Sequence, residues 1–535
     1  MSATDAVPGD IPPAVHQHGL GDVLRRTAAR LPHKTAIVCG AVSWTYAEFD
    51  AVCSRLAHAL AAGGVGFGDR VAILSRNSHA FAAMRFALAR MGAVIVPINF
   101  MLNADEVAFI LKSSGAGTLL VGAGFETLGA DAVARGSTVE RIIWLPGEEG
   151  GGAPAGMQGF DDLLRLQAPA IEFPAFDARS LLQIIYTSGT ESLPKGAMLS
   201  HEAVLWEYVS CVIEGGMASG DVQLHALPLY HCAQLDVFLG PAIYLGMTNI
   251  ITGQPRPDVI LALIERHRVN AFFAPPSVWI GLLRSPLFDS SDLGALCKGY
   301  YGASIMPVEV LKEMQRRMPQ VRLWNYYGQT EIAPLATVLY PEDQMRKAGS
   351  AGKPVLNVET RVVNDDMQDV APGEVGEIVH RSPQLLSGYY NDPERTAEAF
   401  RGGWFHSGDL AVRDEEGYIT VVDRKKDMIK SGGENVASRE VEEMIFRMPA
   451  VSEVAVIGLP DPYWVEAVTA VIVLRDGHAI GEDDVIAFCK ANMAHFKVPK
   501  RVILSDALPK NPSGKLLKRE LRKRYLPATQ AAQPA

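Results

Sequence analysis

The chain has 535 residues, and one hydrophobic core of about 150 residues cannot contain it, so we expect at least two domains. Hydrophobic residues make up 48% and charged residues 21%, which excludes wholesale disorder, a collagen-like repeat and a small disulfide scaffold. The net charge of −10 argues against a protein whose whole surface binds nucleic acid.

The spacing of the cysteines and the length of the apolar runs indicate the cellular location. The six cysteines are scattered without a CxxC pair, which favours a reduced, cytoplasmic protein without structural zinc. The first residues are acidic and Pro-rich, unlike a signal peptide. The most apolar stretch, 237–251, is shorter than the ~20 residues that span a bilayer and contains Gly and Pro, so we expect a buried core segment and no transmembrane segment.

Helical patterns alternate with short apolar runs from about residue 19 to 327. Thr45 and Glu48 form a capping-box pattern ahead of apolar residues at helical spacing. Runs such as 71–74 and 94–96 are typical of buried parallel strands crossed over by helices. This part of the chain is therefore predicted to be α/β, with the Gly-rich run 147–156 as a surface loop.

The pattern of residue types changes further along the chain. From about 349 to 423, β-branched alternation with turn signals predicts a β-rich subdomain, and short α/β patterns resume after 423. We predict a large N-terminal domain (1–423) of α/β subdomains plus this β-rich subdomain, a small α+β C-terminal domain (424–526) and a disordered tail (527–535). The fold class is α/β.

Residues 186–196, YTSGTESLPKG, follow an apolar strand and form the strongest motif. Small residues let backbone N–H groups approach a polyphosphate, hydroxyls add donors, and Lys195 adds a cation. The spacing is not that of a Walker A loop, because Pro194 stands in place of its second Gly and Gly196 follows the Lys. A mobile Gly/Ser loop is the alternative for this string taken alone.

Other segments favour a nucleotide site over that alternative. Tyr327 could stack on a purine and Glu331 could hold Mg²⁺, since both follow an apolar strand. Asp409 comes after a turn, as an acid that binds ribose hydroxyls would, and Arg424 follows a short β segment later. Lys515 lies on a tight Pro- and Gly-containing loop near the C-terminus.

In this order and at these separations, the motifs resemble the adenylate-forming superfamily of acyl-CoA synthetases, firefly luciferases and peptide-synthetase adenylation domains. The resemblance runs from about Gly19 to Lys523 and is strongest to fatty acid CoA ligases. It implies that ATP and Mg²⁺ bind, with Thr190 and Glu331 near the metal. It also implies a set of nucleotide-binding residues: Thr187, Ser188, Gly189, Thr190, Lys195, Gly302, Ala303, Ser304, Asn325, Tyr326, Tyr327, Gly328, Thr330, Asp409 and Arg424.

The reaction implied by the resemblance has two halves, acyl-adenylate formation with release of pyrophosphate and transfer of the acyl group to CoA. Lys515 is similar to the lysine that bridges the substrate carboxylate and the α-phosphate, where it stabilises charge. Lys430, Gly432 and Gly433 resemble the loop that enters the active site for thioester formation. Because the two halves need different faces of the C-terminal domain, this domain is expected to be mobile, with Lys426 at the hinge position.

The acyl pocket is expected to be lined by residues 230–239, 301–305 and 332–335, with His231 resembling an aromatic gate of relatives. Tyr230 and His231 stand where peptide-synthetase relatives carry an Asp, which disfavours an amino acid substrate. Asp236 lies deeper in this segment, where we expect a solvated or helix-surface acid, and an acid that faces the pocket is the alternative. A medium- or long-chain fatty acid is the expected substrate, and an aryl acid of the hydroxycinnamate or benzoate type is the alternative.

Two further alternatives concern binding. Family members usually have Thr-Thr-Gly where this chain has Thr190-Glu191-Ser192, and Glu191 motivates the alternative of a degenerate nucleotide-binding homologue. Residues 497–524 contain ten Lys or Arg and only two acids, but the aromatics of RNA-binding motifs are absent, so we expect a solvated helix face and no nucleic acid partner. The expected partners are a carboxylic acid and CoA, and a homodimer is kept as an option.

Overall fold

The computed structural model describes residues 13–168, 173, 175–187, 194–304, 306–425, 427–510 and 516–526. They form two compact units. The first contains the described residues up to 187, 194–253 and 383–392, and the second contains those of 254–382 and 393–526. The predicted α/β class is confirmed, because helices alternate with parallel strands over most of the chain.

The elements of the first unit precede residue 254, apart from one short strand. Its strands are β1 (Thr35–Cys39), β2 (Val42–Thr45), β3 (Arg70–Leu74), β4 (Val94–Pro97), β5 (Thr118–Gly122), β6 (Arg141–Leu145), β7 (Gln158–Gly159), β8 (Leu181–Thr187), β9 (Lys195–Ser200), β10 (Val222–His225) and β11 (Thr248–Ile251). Its α-helices are α1 (Leu20–Arg30), α2 (Tyr46–Ala62), α3 (His79–Met91), α4 (Ala104–Ser114), α5 (Glu126–Ala134), α6 (Phe160–Arg165), α7 (His201–Glu214) and α8 (Gly240–Leu245). A π-helix, Ala233–Leu239, directly precedes α8.

The remaining elements follow residue 254 and belong to the second unit, except β19. The strands are β12 (Ala271–Phe273), β13 (Lys298–Gly302), β14 (Arg322–Gly328), β15 (Leu335–Leu339), β16 (Lys353–Pro354), β17 (Glu359–Val363), β18 (Val375–Arg381), β19 (Gly388–Tyr389), β20 (Phe405–Arg413), β21 (Ile419–Arg424), β22 (Ile429–Ser431), β23 (Glu434–Val436), β24 (Val451–Asp461), β25 (Val465–Leu474) and β26 (Arg501–Leu504). The α-helices are α9 (Pro257–His267), α10 (Pro276–Arg284), α11 (Val308–Arg317), α12 (Pro393–Ala399), α13 (Ser438–Phe446), α14 (Glu482–Asn492) and α15 (Lys518–Tyr525). Short 3-10 helices lie at Pro13–His16, Phe288–Ser290, Thr330–Ile332, Pro341–Asp343, Arg401–Gly403 and His495–Lys497.

The first unit is built on an eight-stranded sheet in the order β19-β9-β8-β4-β3-β5-β6-β7, parallel from β8 to β7. Strands β10, β11, β1 and β2 form a second run in this unit. Strand β19 lies inside the segment predicted to be β-rich, yet it pairs antiparallel with β9, Gly388 opposite Met198. Residues 383–392 therefore leave that subdomain, because the outer edge of β9 offers free backbone groups for pairing.

The capping box predicted for α2 is present. Thr45 Oγ1 accepts a hydrogen bond from the Glu48 N–H (3.2 Å), and Glu48 Oε2 accepts one from the Thr45 N–H (2.8 Å). These two bonds satisfy orphan donors at the helix start and fix where α2 begins. The apolar face that follows, which includes Phe49, Val52 and Leu56, is buried.

The second unit contains three sheets or parts of sheets. Strands β12, β13 and β14 are parallel, and β15 and β16 extend them antiparallel. Strands β17, β18, β20 and β21 form an antiparallel sheet, which is the predicted β-rich subdomain. Strands β23, β22, β25 and β24, with β26 beside β25, carry the C-terminal core, where α13 and α14 pack on residues such as Val456 and Ile472.

Among the residues that the structure describes, no helix combines the length and the apolar character that crossing a bilayer requires.

Four histidines are buried as neutral side chains. Burial is the main cause that lowers their pKa, to about 4 for His79 and His225 and to about 3 for His201 and His380. An unfolded histidine has a pKa of about 6.5. Below that pH the unfolded chain therefore binds more protons than the native chain, and the free energy of unfolding falls as the pH falls.

His380 in β18 offers a test of this effect, because its ring is fully buried beside Thr360. In the His380→Gln variant one such group is gone. We subtract the unfolding free energy of the variant from that of the wild type. As the pH is lowered from ~6 to ~4, we expect this difference to fall by up to ~1.4 kcal/mol per pH unit. Urea denaturation at several pH values measures this difference, and a difference independent of pH would contradict the assignment.

Candidate active site

The predicted phosphate loop joins β8 to β9. Its two ends are register partners, with Thr187 opposite Lys195. The Lys195 ammonium lies 5.1 Å from the centroid of the Tyr389 ring, a contact that the sequence did not predict. Ser188, Gly189 and Thr190, together with Glu191, lie outside the described residues, so their roles stay predictions.

The predicted adenine-binding residues follow the parallel strands β13 and β14. Gly302 pairs with Tyr326, and a Cβ atom on Gly302 would lie 2.4 Å from the Tyr326 carbonyl oxygen, so only glycine fits. Ala303 continues with a left-handed φ of 64°, and Ser304 is exposed. In α/β folds, ligands bind at the carboxyl ends of parallel strands, which is where these residues lie.

Asn325 and Gly328 fix the course of β14 at the same edge. The Asn325 side-chain amide donates to the Ser350 carbonyl (2.8 Å). A Cβ atom on Gly328 would lie 1.7 Å from the Pro334 carbonyl oxygen, so the backbones approach too closely for any side chain there. Asn325 therefore has a structural partner, and Gly328 a steric reason for being glycine.

Three predicted nucleotide-binding residues meet at one point in the second unit. Tyr327 Oη donates a hydrogen bond to Asp409 Oδ2 (2.7 Å), and Arg424 Nε lies 3.2 Å from Asp409 Oδ1. Asp409 and Arg424 are also cross-strand partners of β20 and β21. A carboxylate offers about four acceptor positions, so Asp409 keeps capacity for the two hydroxyls of a ribose.

Electrostatics keep the Tyr327 phenol protonated and the Arg424 guanidinium charged. Burial, followed by the charge of Asp409, raises the pKa of Tyr327 well above its usual value, so the phenol keeps the proton that it donates. Burial opposes the charge of Arg424, but the nearby groups Asp409, Tyr327, Asp427 and Glu331 together outweigh it, and the pKa of the guanidinium is raised overall. The cluster is therefore a pre-formed acceptor, with its own donors already placed.

Thr330 and Glu331 lie in the 3-10 turn that follows β14, and the Glu331 side chain is nearly buried, at 8% exposure. A carboxylate and a hydroxyl are oxygen donors, the ligands that Mg²⁺ prefers. Mg²⁺ is usually held by one or two carboxylates plus substrate phosphates, so these residues fit a magnesium ion that arrives with ATP. No group of three or more His, Cys, Asp or Glu in the described part of the chain is arranged to hold a metal ion.

The predicted thioester loop is a tight hairpin between β22 and β23. Ser431 pairs with Glu434, and the two residues between them, Gly432 and Gly433, have φ angles of 61° and 88°. Two positive φ angles define a type I′ turn, which glycine adopts without strain. Lys430 is exposed at the start of this hairpin.

Two residues that the sequence analysis missed hold this hairpin. Glu466 Oε2 accepts a hydrogen bond from the Lys430 N–H (2.7 Å), and the Trp464 carbonyl accepts one from the Gly432 N–H (2.8 Å). The Trp464 ring lies 3.0 Å from the position of a Cβ on Gly432. The sequence signal for these two contacts was that an aromatic residue, Trp464, and an acid, Glu466, follow Asp461-Pro462 within four residues.

Ser438 anchors the start of α13 to strand β21. Ser438 begins α13, and both its N–H (2.7 Å) and its hydroxyl (2.6 Å) donate to Asp423 Oδ2 in β21. Lys518 contacts the same hydroxyl and pairs with Glu442 (2.8 Å). Ser438 thus ties α13 to the predicted domain boundary. The predicted hinge, Lys426, and the predicted catalytic lysine, Lys515, lie outside the described residues.

The predicted acyl segment begins in the first unit with Tyr230 and His231. His231 caps the π-helix, since its Nδ1 atom accepts the Ala233 N–H (3.2 Å) and its carbonyl accepts the Leu235 N–H (3.1 Å). The expectation for Asp236 was wrong. Its side chain is fully buried and pairs with Arg85 (2.9 Å) instead of facing solvent, because residues 234–239 of the π-helix are all buried.

A glycine, an aromatic hydroxyl and an arginine at strand ends, with an acid in the middle of β20, are the residue types expected of an enzyme that binds an adenine nucleotide. Comparison with known families agrees. The family described as AMP-binding enzyme matches residues 24–390, and its C-terminal domain, AMP-binding enzyme C-terminal domain, matches residues 440–515. The chain belongs to the AMP-binding enzyme family, as an acid–thiol ligase of the AMP-forming acyl-CoA synthetase type.

Individual relatives match nearly the full length of the chain. A feruloyl-CoA synthase of Amycolatopsis sp is 38% identical over 96% of this chain and 100% of its own. The long-chain fatty acid CoA ligase FadD13 of Mycobacterium tuberculosis is 37% identical over 95% of this chain and 98% of its own. The structure of the anthranilate CoA ligase AuaEII with anthranoyl-AMP superposes with a TM-score of 0.89 at 26% identity, covering 97% of this chain and 98% of that one. The prediction of a large N-terminal and a small C-terminal domain is thereby confirmed.

The Asp409 cluster generates a prediction about ATP binding. Asp409→Asn removes the charge that Arg424 and the ribose hydroxyls need, and a hydrogen bond to a charged group contributes about 1.5–3 kcal/mol. We therefore expect the KM for ATP to rise tenfold or more, measured as AMP release with saturating acid and CoA. Asp365→Asn, an exposed acid paired with Lys425 in the same unit, is the matched control and should leave this KM within twofold. A folded Asp409→Asn variant with unchanged KM for ATP would refute the ribose assignment.

Proposed function

We propose that this ligase activates an aryl carboxylic acid of the hydroxycinnamate type, through an aryl-adenylate, and transfers it to CoA. Two similarities support this substrate class: the 38% sequence identity to the feruloyl-CoA synthase, and the structural similarity to the anthranilate CoA ligase whose structure contains anthranoyl-AMP. A medium- or long-chain fatty acid, the substrate expected from the sequence, is the second candidate, which the identity to FadD13 favours.

In the first half-reaction, the carboxylate of the acid attacks the α-phosphate of ATP and pyrophosphate leaves. Asp409 and Arg424 would hold the ribose, while Gly302, Ala303, Ser304, Asn325, Tyr326 and Tyr327 would flank the adenine. Lys515 would lie against the reacting carboxylate and phosphate, where it stabilises the charge that grows on oxygen. Thr187, Ser188, Gly189, Thr190 and Lys195 would bind the phosphates.

Glu331 and Thr190 would hold Mg²⁺, with Gly328 and Thr330 beside the nucleotide. When bound, the metal would supply positive charge that stabilises the phosphate oxygens. None of these protein residues acts as a nucleophile, so the acyl group is never attached to the chain.

In the second half-reaction, the CoA thiolate displaces AMP from the acyl-adenylate. The turn at Gly432 and Gly433 presents backbone without side chains, which suits a narrow path for the pantetheine arm, and Lys430 would act at its start. His231, as the cap of the π-helix, would form the gate of the acyl pocket. Different faces of the C-terminal domain serve the two halves, so mobility of this domain about Lys426 stays part of the proposal.

One observation carries the choice of an aryl substrate. Tyr230, next to His231, is buried at 7% exposure, and its hydroxyl has no hydrogen-bond partner among the described residues. The Phe100 ring packs edge-on against Tyr230 at 5.3 Å between centroids. A buried hydroxyl without a partner costs about 1–3 kcal/mol, and a ring hydroxyl or methoxyl of a substrate would provide a partner that an alkyl chain lacks.

A panel of acids with a Tyr230→Phe variant tests this choice. We expect wild-type kcat/KM for CoA-dependent AMP release to be higher with ferulate and 4-hydroxycinnamate than with any alkanoate. Tyr230→Phe should lower kcat/KM at least fivefold for these two acids, because their polar substituent loses its partner.

Cinnamate, which has the same ring without a polar substituent, is the matched control and should change by less than twofold. An alkanoate that outperforms every aryl acid, with Tyr230→Phe lowering all acids equally, would favour the fatty acid candidate instead. A protein that releases no AMP with any acid would favour the degenerate nucleotide-binding alternative.

The cytoplasmic location, the absence of a nucleic acid partner and the option of a homodimer stay predictions from the sequence.

A further inference from the structure

The π-helix Ala233–Leu239 is the least expected element of the first unit. Six of its seven residues are buried, including the two polar residues Gln234 and Asp236. π-Helices are rare, because their wider turn packs less well and needs local support. Those that occur are often at functional sites. The support here comes from polar contacts on two sides.

The first contact holds Asp236. Its Oδ1 atom pairs with Arg85 Nη2 in α3 (2.9 Å), and its Oδ2 atom accepts a hydrogen bond from Gln183 Nε2 in β8 (2.8 Å). Arg85 and Asp236 have side-chain exposures of 1% and 0%. Both oxygens of the carboxylate are therefore fixed by two different elements.

The second contact holds Gln234. Its Nε2 atom lies 2.7 Å from Nδ1 of His225 in β10, and His225 Nε2 lies 2.9 Å from Asn249 Oδ1 in β11. The Asn249 amide donates to the Ala36 carbonyl (2.9 Å) and the Met247 carbonyl (3.1 Å), so its Oδ1 atom must accept from His225. The neutral ring of His225 then accepts from Gln234, which completes a chain of hydrogen bonds from the π-helix to β1.

The stability of the fold does not explain why Arg85 and Asp236 form a buried ion pair. A buried ion pair often stabilises a protein no better than apolar residues of similar volume, because both charges lose their hydration. The cost is visible here, since Arg85 Nε and Nη1 are buried without hydrogen-bond partners among the described residues. Burial also raises the pKa of Asp236, although Arg85 and Gln183 oppose this shift. What the contact provides is a single allowed position for residue 236.

We propose that Arg85, Gln183 and Asp236 are positioning residues that set the acyl-group preference of the enzyme, because they fix the π-helical register of Ala233–Leu239. The inference rests on the proposed function, in which this segment lines the acyl pocket. Rewinding a π-turn into an α-helix shifts the following side chains by one residue, or about 100° around the axis. Leu235 and Val237 would then present different surfaces to the substrate.

The test compares two acids of different shape, ferulate and octanoate, in the Arg85→Met/Asp236→Leu double variant. Replacing both partners avoids an unpaired buried charge, so the double variant is expected to fold. The ratio of kcat/KM for ferulate to that for octanoate should change at least tenfold, while the KM for ATP stays within twofold. If the double variant does not fold, Gln183→Met, which removes only the neutral partner, should change the ratio at least threefold.

The matched control is Tyr46→Phe, which removes a buried hydrogen bond from Tyr46 Oη to the Met247 carbonyl (2.6 Å) in the same unit. It should lower the thermal midpoint and leave the ratio within twofold, since general destabilisation affects both acids alike. An unchanged ratio in the folded double variant, or in Gln183→Met if only that variant folds, would overturn the inference alone. A wild-type enzyme that forms no acyl-CoA from either acid would overturn the inference together with the proposed function.

Discussion

The carboxylate of Asp409 is the interaction on which the nucleotide site depends. It joins β20 to the ends of β14 and β21, since Tyr327 donates to one oxygen and Arg424 pairs with the other. An acid so placed cannot rotate away when ATP is absent, and the free energy of ordering it is already included in the fold. ATP therefore meets a formed acceptor, and its binding free energy can serve the orientation of the α-phosphate.

The same principle recurs where the fold must hold a segment in one position. Asp423 fixes the first residue of α13 through two hydrogen bonds from Ser438, and Asp236 fixes the π-helix through Arg85 and Gln183. The turn at Gly432 and Gly433 is fixed differently, by a backbone conformation and by the Trp464 ring. Buried acids and glycines at positive φ thus define the parts of the chain that the proposed chemistry uses.

Local sequence signals predicted local structure well. The capping box of Thr45 and Glu48 and the strands 71–74 and 94–96 depend on neighbours within a few residues, and the structure has all of them. Contacts between distant residues were not predictable in this way. The burial of Asp236 depends on Arg85, which lies 151 residues away, and the pairing of β19 with β9 depends on an edge that forms only when the sheet is complete.

The basic segment 497–524 shows the same limit. Its excess of cations predicted a solvated helix face, which Arg519, Lys523 and Arg524 of α15 form. The sequence did not predict that Lys497, Lys510, Lys518 and Arg522 pair with Glu440, Glu453, Glu442 and Asp427, which lie elsewhere in the sequence. The motifs for nucleotide binding could be located from the sequence because each is a short string with its own chemistry. The positions of Lys515 and of the loop 188–193 still rest on the sequence alone.

The central claim is that the acid and ATP form an acyl-adenylate before CoA reacts. The most direct measurement uses an acid labelled with oxygen-18 in both carboxylate oxygens, ATP, Mg²⁺ and CoA, followed by mass spectrometry of the nucleotide product. Attack of the carboxylate on the α-phosphate leaves one labelled oxygen on AMP in every turnover, and this is the result we predict. Unlabelled AMP, or ADP together with labelled inorganic phosphate, would show that the carboxylate does not attack the α-phosphate. Either result would contradict the account.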